Sequence, residues 1–250
     1  QKMLFLSFRG SSQNSCVGTT YIWTATTGAS EIGIGEDITG YMTQPGEILA
    51  IFGRNGTYQL QGSSITDFNL STISSEVGAI AYTVQNVGVA YGMDDRGVTK
   101  ITATQAYGNF NAGTVSRLAQ PVIDEIRSKT IASSVYRSRN QYRVYGNDGS
   151  GFIMTIEGNK IAGITTLSYP VNVTCTCSAE DSTGKDVIFF GADNGFVYQA
   201  DKGSSFDGAA IESSLRLPFN HGRLPRHRKR YRKAFMEKSS VGYAAKRYQP

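Results

Sequence analysis

The chain has 250 residues, enough for one large domain or two small ones with a substantial core. Charged residues make up 18% of it and the formal net charge is +5. This low charge, with 14 Tyr and 12 Phe, excludes a disordered chain, which needs high charge and few aromatic residues. The longest uncharged run, residues 77–93, contains Gln, Asn and three glycines, which argues against a membrane span and against integral membrane contact.

The start, QKMLFLSFRGSSQ, has too short an apolar stretch for a secretory signal. We expect the chain to be a processed product or the retained part of a longer polypeptide. Three cysteines form an odd count whose spacing suits neither a disulfide framework nor a metal site. Cys175 and Cys177 lie two apart on a predicted strand, where such a pair is more typical of small buried packing than of metal or redox chemistry.

Four hairpins are predicted along the chain, each from two short β-branched and aromatic runs around a Gly-rich turn. The first strands are expected over residues 48–52, 87–91, 141–145 and 187–190, and the second strands over 57–61, 98–102, 152–156 and 196–200. The turns between them read GRNG, GMDDRG, GNDGSG and GADNG, in which Asn-Gly and Asp-Gly are expected to supply positive φ angles. The residues predicted to build these turns are Gly53, Asn55, Gly56, Gly92, Gly97, Gly146, Asp148, Gly149, Gly191, Asn194 and Gly195.

The glycines that open the four turns are separated by 39, 54 and 45 residues. A period of about 40–50 residues, each holding several strands, is typical of propeller blades. The sequence therefore predicts an all-β fold, with a β-propeller over residues 1–217. Four or five units are few for a closed ring, so we expect the propeller to be incomplete at its N-terminal part. A β-sandwich is the alternative, because it is also rich in hairpins.

Residues 121–129 break the β pattern and predict a short helix between two blades. Pro121 occupies a position suited to the first turn, and the acids of the segment precede its bases.

A basic tract, RLPRHRKRYRK, occupies residues 223–233 and contains seven basic residues and no acid. Without those seven the chain has 18 positive and 20 negative residues, a balance of −2. The tract favours a subunit contact, with nucleic-acid binding and a solvated linker as alternatives. We assign residues 218–233 to a basic connector and residues 234–250 to the start of a second small β domain or extension, with strands over 234–237 and 241–248. The residues expected to make the contact are Arg223, Arg226, Arg228, Lys229, Arg230, Tyr231, Arg232 and Lys233.

Catalytic chemistry has few candidates in this sequence. The two histidines, His221 and His227, lie among Arg and Lys, whose charge repels a metal ion, and they leave no partner for a Ser or Cys nucleophile. A carboxylate pair for glycoside hydrolysis remains conceivable, but four of the six candidates fall in the Gly-rich turns, where Asp bonds to the backbone. The candidate acids are Asp94, Asp95, Asp148, Glu180, Asp181 and Asp193. We expect no catalytic residue, no metal and no cofactor.

Four segments together resemble the nozzle proteins of short-tailed bacteriophages, also called tail tubular protein B. They are IFGRNGTYQL (51–60), DDRGVTKITATQAYGNF (94–110), DVIFFGADNGFVYQADKGSSFDG (186–208) and the tract FNH…RKRYRK (219–233), within a resemblance that covers residues 48–236. The order of GVTKITATQAYGNF, SSFDG and the late basic tract is its most specific part.

The resemblance implies a structural virion protein in the phage tail, with no enzymatic activity. It implies a hexameric ring below the tail adaptor, in contact with adaptor and tail fibre proteins, around a channel through which the viral DNA leaves. The propeller would occupy residues 48–217, and residues 223–233 would lie near a subunit boundary. Two alternatives stay open: a carbohydrate-binding or glycoside-cleaving propeller used in host recognition, and a β protein that binds nucleic acid through the tract.

Overall fold

The structure, a computed structural model, describes residues 2–44, 48–103, 110–114, 119–158 and 160–214 and the single residues 226, 228 and 230, with the backbone alone for 101–103 and 110–114. The chain divides into two compact units, Gln1–Ala210 and Ile211–Pro250. The predicted boundaries after residues 217 and 233 lie outside the described residues. The strands predicted over 234–237 and 241–248 lie outside them as well.

Five antiparallel sheets, A to E, follow one another along the first unit, and each is a meander of consecutive strands. Sheet A contains β1 (Phe5–Phe8), β2 (Ser11–Asn14) and β3 (Ser30–Gly33), and sheet B contains β4 (Ile38–Gln44), β5 (Ile48–Gly53), β6 (Thr57–Gln61) and β7 (Asn69–Ser74). Sheet C contains β8 (Gln85–Asn86), β9 (Ala90–Asp94), β10 (Gly97–Ala103) and β11 (Phe110–Thr114), and sheet D contains β12 (Thr130–Tyr136), β13 (Gln141–Gly146), β14 (Ser150–Glu157) and β15 (Lys160–Ser168). Sheet E contains β16 (Val173–Glu180), β17 (Asp186–Ala192) and β18 (Val197–Gln199). None of the five sheets closes on itself, and the predicted all-β class is confirmed.

All eight predicted hairpin strands are present, but the one expected over residues 87–91 is displaced. The strand found there, β9, begins at Ala90, because Gly88 has a φ of +79° and the N–H of Val87 bonds to the carbonyl of Val89. These residues form the tight turn between β8 and β9, and the apolar run continues past them into the strand.

The predicted helix is confirmed as α1 (Gln120–Arg127), between β11 and β12, with Pro121 in its first turn. Ile123 and Ile126 are its buried side chains. They pack into a cluster with residues of sheets C and D.

Four hydrophobic clusters lie between the sheets, each joining one sheet to the next. Sheet A meets sheet B through Phe5 and Ile51, and sheet B meets sheet C through Phe52 and Ala90. The clusters between sheets C and D and between sheets D and E contain the most buried residues. The five sheets therefore stack face to face in the order of the chain.

A strand in the middle of this stack is buried on both of its faces. In β13, Tyr142 and Val144 pack towards sheet C, while Tyr145 packs towards sheet E. A strand covered on both sides reads as a nearly continuous apolar run rather than an alternation. That explains the runs ILAIF in β5 and YRVY in β13.

The first strands of sheets C, D and E are joined by polar bonds. The Ser133 carbonyl on β12 accepts hydrogen bonds from Gln85 Nε2 on β8, at 3.1 Å, and from Thr176 Oγ1 on β16, at 2.8 Å. The N–H of Val135 donates to Ser178 Oγ on β16, at 3.0 Å. These hydrogen bonds thus connect the first edge strands of three successive sheets to one another.

Candidate functional site

The first hairpin turn, Gly53 to Gly56, is organised by a side chain from outside it. Glu36 accepts hydrogen bonds from the N–H of Asn55 and from the hydroxyl of Tyr58, both at 2.8 Å. A Cβ on Gly53 would lie 2.2 Å from the Glu36 carboxyl carbon. The expected positive φ at Asn55-Gly56 is wrong, because neither residue has one. The two glycines leave room for the Glu36 carboxylate beside the turn.

The second turn is shorter than predicted. Asp94 pairs with Gly97 across the hairpin, so the turn consists of Asp95 and Arg96, and Gly97 leaves it with a φ of +127°. Gly92 is not a turn residue, since it lies inside β9. Asp94 Oδ1 accepts the N–H of Arg96 at 2.8 Å, and burial raises the pKa of Asp94, an effect that this hydrogen bond partly offsets.

The third turn follows the prediction. It joins Gly146 to Ser150, and Gly149 has a φ of +78°. Asp148 Oδ1 accepts the N–H of Ser150 at 3.0 Å, and Asp148 Oδ2 pairs with Lys129 Nζ at 2.7 Å. Hydrogen bonds from Lys129 and Ser150 hold the pKa of Asp148 well below its usual range. This aspartate is used by the turn itself.

Replacing Gly149 by Ala tests the geometry of this turn. A Cβ there would lie 2.5 Å from the carbonyl oxygen of Tyr169, in addition to the positive φ. We expect the free energy of unfolding, measured by urea denaturation, to fall by about 2 kcal/mol or more. The control is Gly158→Ala, where φ is +58° but no atom lies within 4 Å. It should lose only the backbone cost of about 1 kcal/mol, and equal losses for the two variants would contradict the described turn.

The fourth turn begins later than predicted. Gly191 lies inside β17, where a Cβ would be 2.9 Å from Cys175 Sγ on the neighbouring strand. The turn itself contains Asn194, which accepts the N–H of Phe196 at 3.1 Å. Gly195 supplies the expected positive φ of +83°.

The prediction that Cys175 and Cys177 are buried is wrong, because both thiols are exposed. Their position on a strand and on one face is correct. Thr176 and Ser178 of β16 bond to β12, so the cysteines between and beside them point away from sheet D. That side of β16 is open to solvent.

A buried ionic cluster, which is not among the predicted sites, joins sheet D to sheet E. Arg143 is 1% exposed, and its Nη2 lies 2.5 Å from Asp201 Oδ2 and 2.7 Å from Gln141 Oε1. The guanidinium carbons of Arg143 and Arg139 lie 5.1 and 5.0 Å from the centre of the Tyr136 ring, within cation–π distance.

Electrostatics favours the charged form of Arg143 within this cluster. Burial lowers the pKa of Arg143, but the hydrogen bond and charge of Asp201 outweigh it, and the pKa lies above its ordinary value. Asp201 holds a left-handed φ of +57°, which Asp tolerates better than most residues. The one signal in the sequence was a lone Arg within the otherwise apolar run of β13.

A cleft of about 270 Å³ opens beside this cluster, lined by Tyr136, by residues of β17 and β18, and by residues of the β16–β17 loop and of the segment after β18. Its aspartates already have partners. Asp181 Oδ1 accepts hydrogen bonds from the Thr183 hydroxyl and from the N–H groups of Lys185 and Thr183, and these bonds, the hydroxyl's first, lower the pKa of Asp181. Asp186 accepts the N–H of Ser138.

The remaining candidate acids also make structural contacts. Asp95 pairs with Arg54 at 2.6 Å, which ties the second hairpin turn to the first. Asp193 accepts the amide of Asn172 at 2.8 Å. Glu180 lies on the surface, 3.8 Å from Arg137. Each of the six candidate acids thus makes a hydrogen bond or an ion pair within the chain.

Most of the basic tract lies outside the described residues, as do both histidines. Arg226, Arg228 and Arg230 are described and are exposed. The predicted contact through the tract, whose other members are Arg223, Lys229, Tyr231, Arg232 and Lys233, therefore stays a prediction.

Within the described part of the chain, no group of three or more His, Cys, Asp or Glu side chains is placed to hold a metal ion. No described helix has the length and apolar character needed to cross a membrane. The chain matches no known family model and no characterised protein sequence.

Proposed function

We propose that the chain is a run of β-propeller blades and serves as a structural subunit of the tail nozzle of a short-tailed bacteriophage. The observation that carries the proposal is the stacking of five meander sheets in chain order. Propeller blades are antiparallel sheets of about four strands arranged around an axis, each packed on the next. The contacts between β8, β12 and β16 support this arrangement, because the first strands of neighbouring blades lie nearest the axis.

The contacts made by the charged side chains agree with a structural role. The one fully buried cation, among the described residues, is neutralised by Asp201 and stacked beside Tyr136. Asp94 and Asp148 accept backbone N–H groups of their own turns, and Asp95 and Asp193 bond to side chains of other segments. A protein built to be stiff has these features, whereas a hydrolase leaves its acids available to a substrate.

The nozzle assignment itself rests on the sequence resemblance over residues 48–236. In this proposal the chain outside the basic tract, with a net charge of −2, does not bind DNA tightly, so the DNA can pass through the channel. The basic tract contacts a neighbouring protein, the adaptor or a second nozzle subunit.

The test is electron microscopy of the assembled protein, together with immunogold labelling of the virion that carries it. We expect six-fold rings with a central channel and label at the tail. Absence of the protein from the virion, or a clear and saturable hit on a glycan array, would contradict the proposal.

A further inference from the structure

The chain contains two Asn-Gly pairs, Asn55-Gly56 in the first hairpin turn and Asn194-Gly195 in the fourth. In an Asn-Gly pair the asparagine amide is easily lost, because glycine has no side chain to block the approach to its own backbone nitrogen. Both asparagines are exposed. The two pairs are therefore alike in sequence, and their reactivity depends on the hydrogen bonds that the fold gives them.

The reaction is an attack of the glycine nitrogen on the side-chain carbonyl carbon of the asparagine, Cγ. A C–N bond forms to the glycine nitrogen, the bond from Cγ to the amide nitrogen breaks, and ammonia leaves with the proton that the glycine nitrogen gives up. Water then opens the resulting succinimide ring at either carbonyl, which yields aspartate or isoaspartate. Water is the co-reactant, and nothing is oxidised or reduced. The attack needs an available glycine N–H and a side chain that can turn towards it.

At Asn194-Gly195 all the reacting groups are bound elsewhere. Asn194 Oδ1 accepts the N–H of Phe196 at 3.1 Å, and Asn194 Nδ2 donates to the Tyr198 hydroxyl at 2.8 Å. The N–H of Gly195 donates to the Ala192 carbonyl at 3.1 Å. The attack requires these bonds to break first, which costs free energy.

At Asn55-Gly56 the reacting groups are free. Within the described residues, the side-chain amide of Asn55 and the N–H of Gly56 make no hydrogen bond. The bonds that fix this turn use other atoms. The N–H of Asn55 donates to Glu36 Oε2 at 2.8 Å, and the Gly56 carbonyl accepts the N–H of Gly53 at 2.8 Å. Neither bond involves an atom of the succinimide ring.

We propose that Asn55 is a site of spontaneous deamidation in the folded protein and that Asn194 is protected by its hydrogen bonds. The reaction places a new carboxylate in the turn that Glu36 already occupies, so two like charges come close together. In the isoaspartate product the main chain also gains a methylene between residues 55 and 56, inside the turn that Gly53 and Gly56 close. The modification does not depend on the proposed function.

The test is incubation of the folded protein at mildly alkaline pH in water enriched in heavy oxygen, followed by peptide mapping with mass spectrometry. The heavy oxygen marks the carboxylates formed during the incubation and not during digestion. The chain unfolded in urea is the reference, because there the sequence alone sets both rates. In the folded protein we expect Asn55 to be converted about tenfold faster than Asn194, the factor that corresponds to breaking the bonds of Asn194 first.

Two outcomes would overturn the proposal. One is conversion of Asn194 as fast as that of Asn55 in the folded protein. The other is an Asn55 that stays intact in the folded protein while the unfolded chain is converted.

The Tyr198→Phe variant tests the protection of Asn194 directly. It keeps the aromatic ring and removes the hydroxyl that binds Asn194 Nδ2, so we expect conversion of Asn194 to become about threefold faster and that of Asn55 to stay unchanged. The matched control is Tyr21→Phe, because Tyr21 is 80% exposed in the loop between β2 and β3. An Asn194 converted no faster in Tyr198→Phe than in this control would contradict the protection.

Discussion

The Asp201→Asn variant is expected to lose about 3 kcal/mol of the free energy of unfolding. Asn keeps the shape of the side chain and tolerates the left-handed backbone, so the change removes mainly the charge. Arg143 then stays buried without its counter-ion, and breaking a buried pair from one side costs about 3–5 kcal/mol. Because the Asp201 side chain is 33% exposed, we place the loss at the lower end of that range.

Two controls separate this effect from a general effect of charge removal. Glu180→Gln breaks the exposed pair with Arg137, whose side chains are 59% and 74% exposed, and should cost less than about 0.5 kcal/mol. In an Arg143→Met background, Asp201→Asn should be nearly neutral, because no buried cation remains. Chemical denaturation of the unsubstituted protein, the Arg143→Met and Asp201→Asn variants and the double variant measures the coupling energy between Arg143 and Asp201. If Asp201→Asn lowers the free energy of unfolding as much in the Arg143→Met background as in the unsubstituted protein, the described cluster is contradicted.

The Phe152→Ala variant is expected to lose about 4 kcal/mol of the free energy of unfolding. The Phe152 side chain is fully buried between sheets C and D, beside Tyr142 and α1. Its removal leaves a cavity that sheets held on both faces cannot easily close. Urea denaturation gives the value.

The matched control for this cavity is Phe196→Ala. Phe196 is 66% exposed, in the turn before β18, and its truncation should cost less than about 1 kcal/mol. A small loss at Phe152, comparable with that at Phe196, would mean that sheets C and D do not pack against each other as described.

Local chemistry made part of this fold predictable from the sequence. The turn at Asp148-Gly149 was identified because its aspartate bonds two residues ahead and its glycine supplies positive φ, both within one turn. The helix α1 was identified from Pro121 and from the break in the β pattern. The confirmed positions of the hairpin strands follow from the same short-range signals.

Long-range contacts account for what the sequence did not reveal. Glu36, 17 or more residues away in the sequence, bonds to the turn that begins at Gly53. The residues next to Gly53 in the sequence therefore do not reveal this contact. Arg143 and Asp201 are 58 residues apart, and an Arg in an apolar run indicates only that some partner exists. The exposure of Cys175 and Cys177 depends on whether another sheet covers β16, which the strand pattern does not specify.

A crystal structure of the chain tests the proposed run of propeller blades most directly. We expect five meander sheets stacked in chain order, with β8, β12 and β16 side by side and the Ser133 carbonyl bonded from both neighbours. Strands divided between two facing layers, with sheet D covered on one side only, would contradict it.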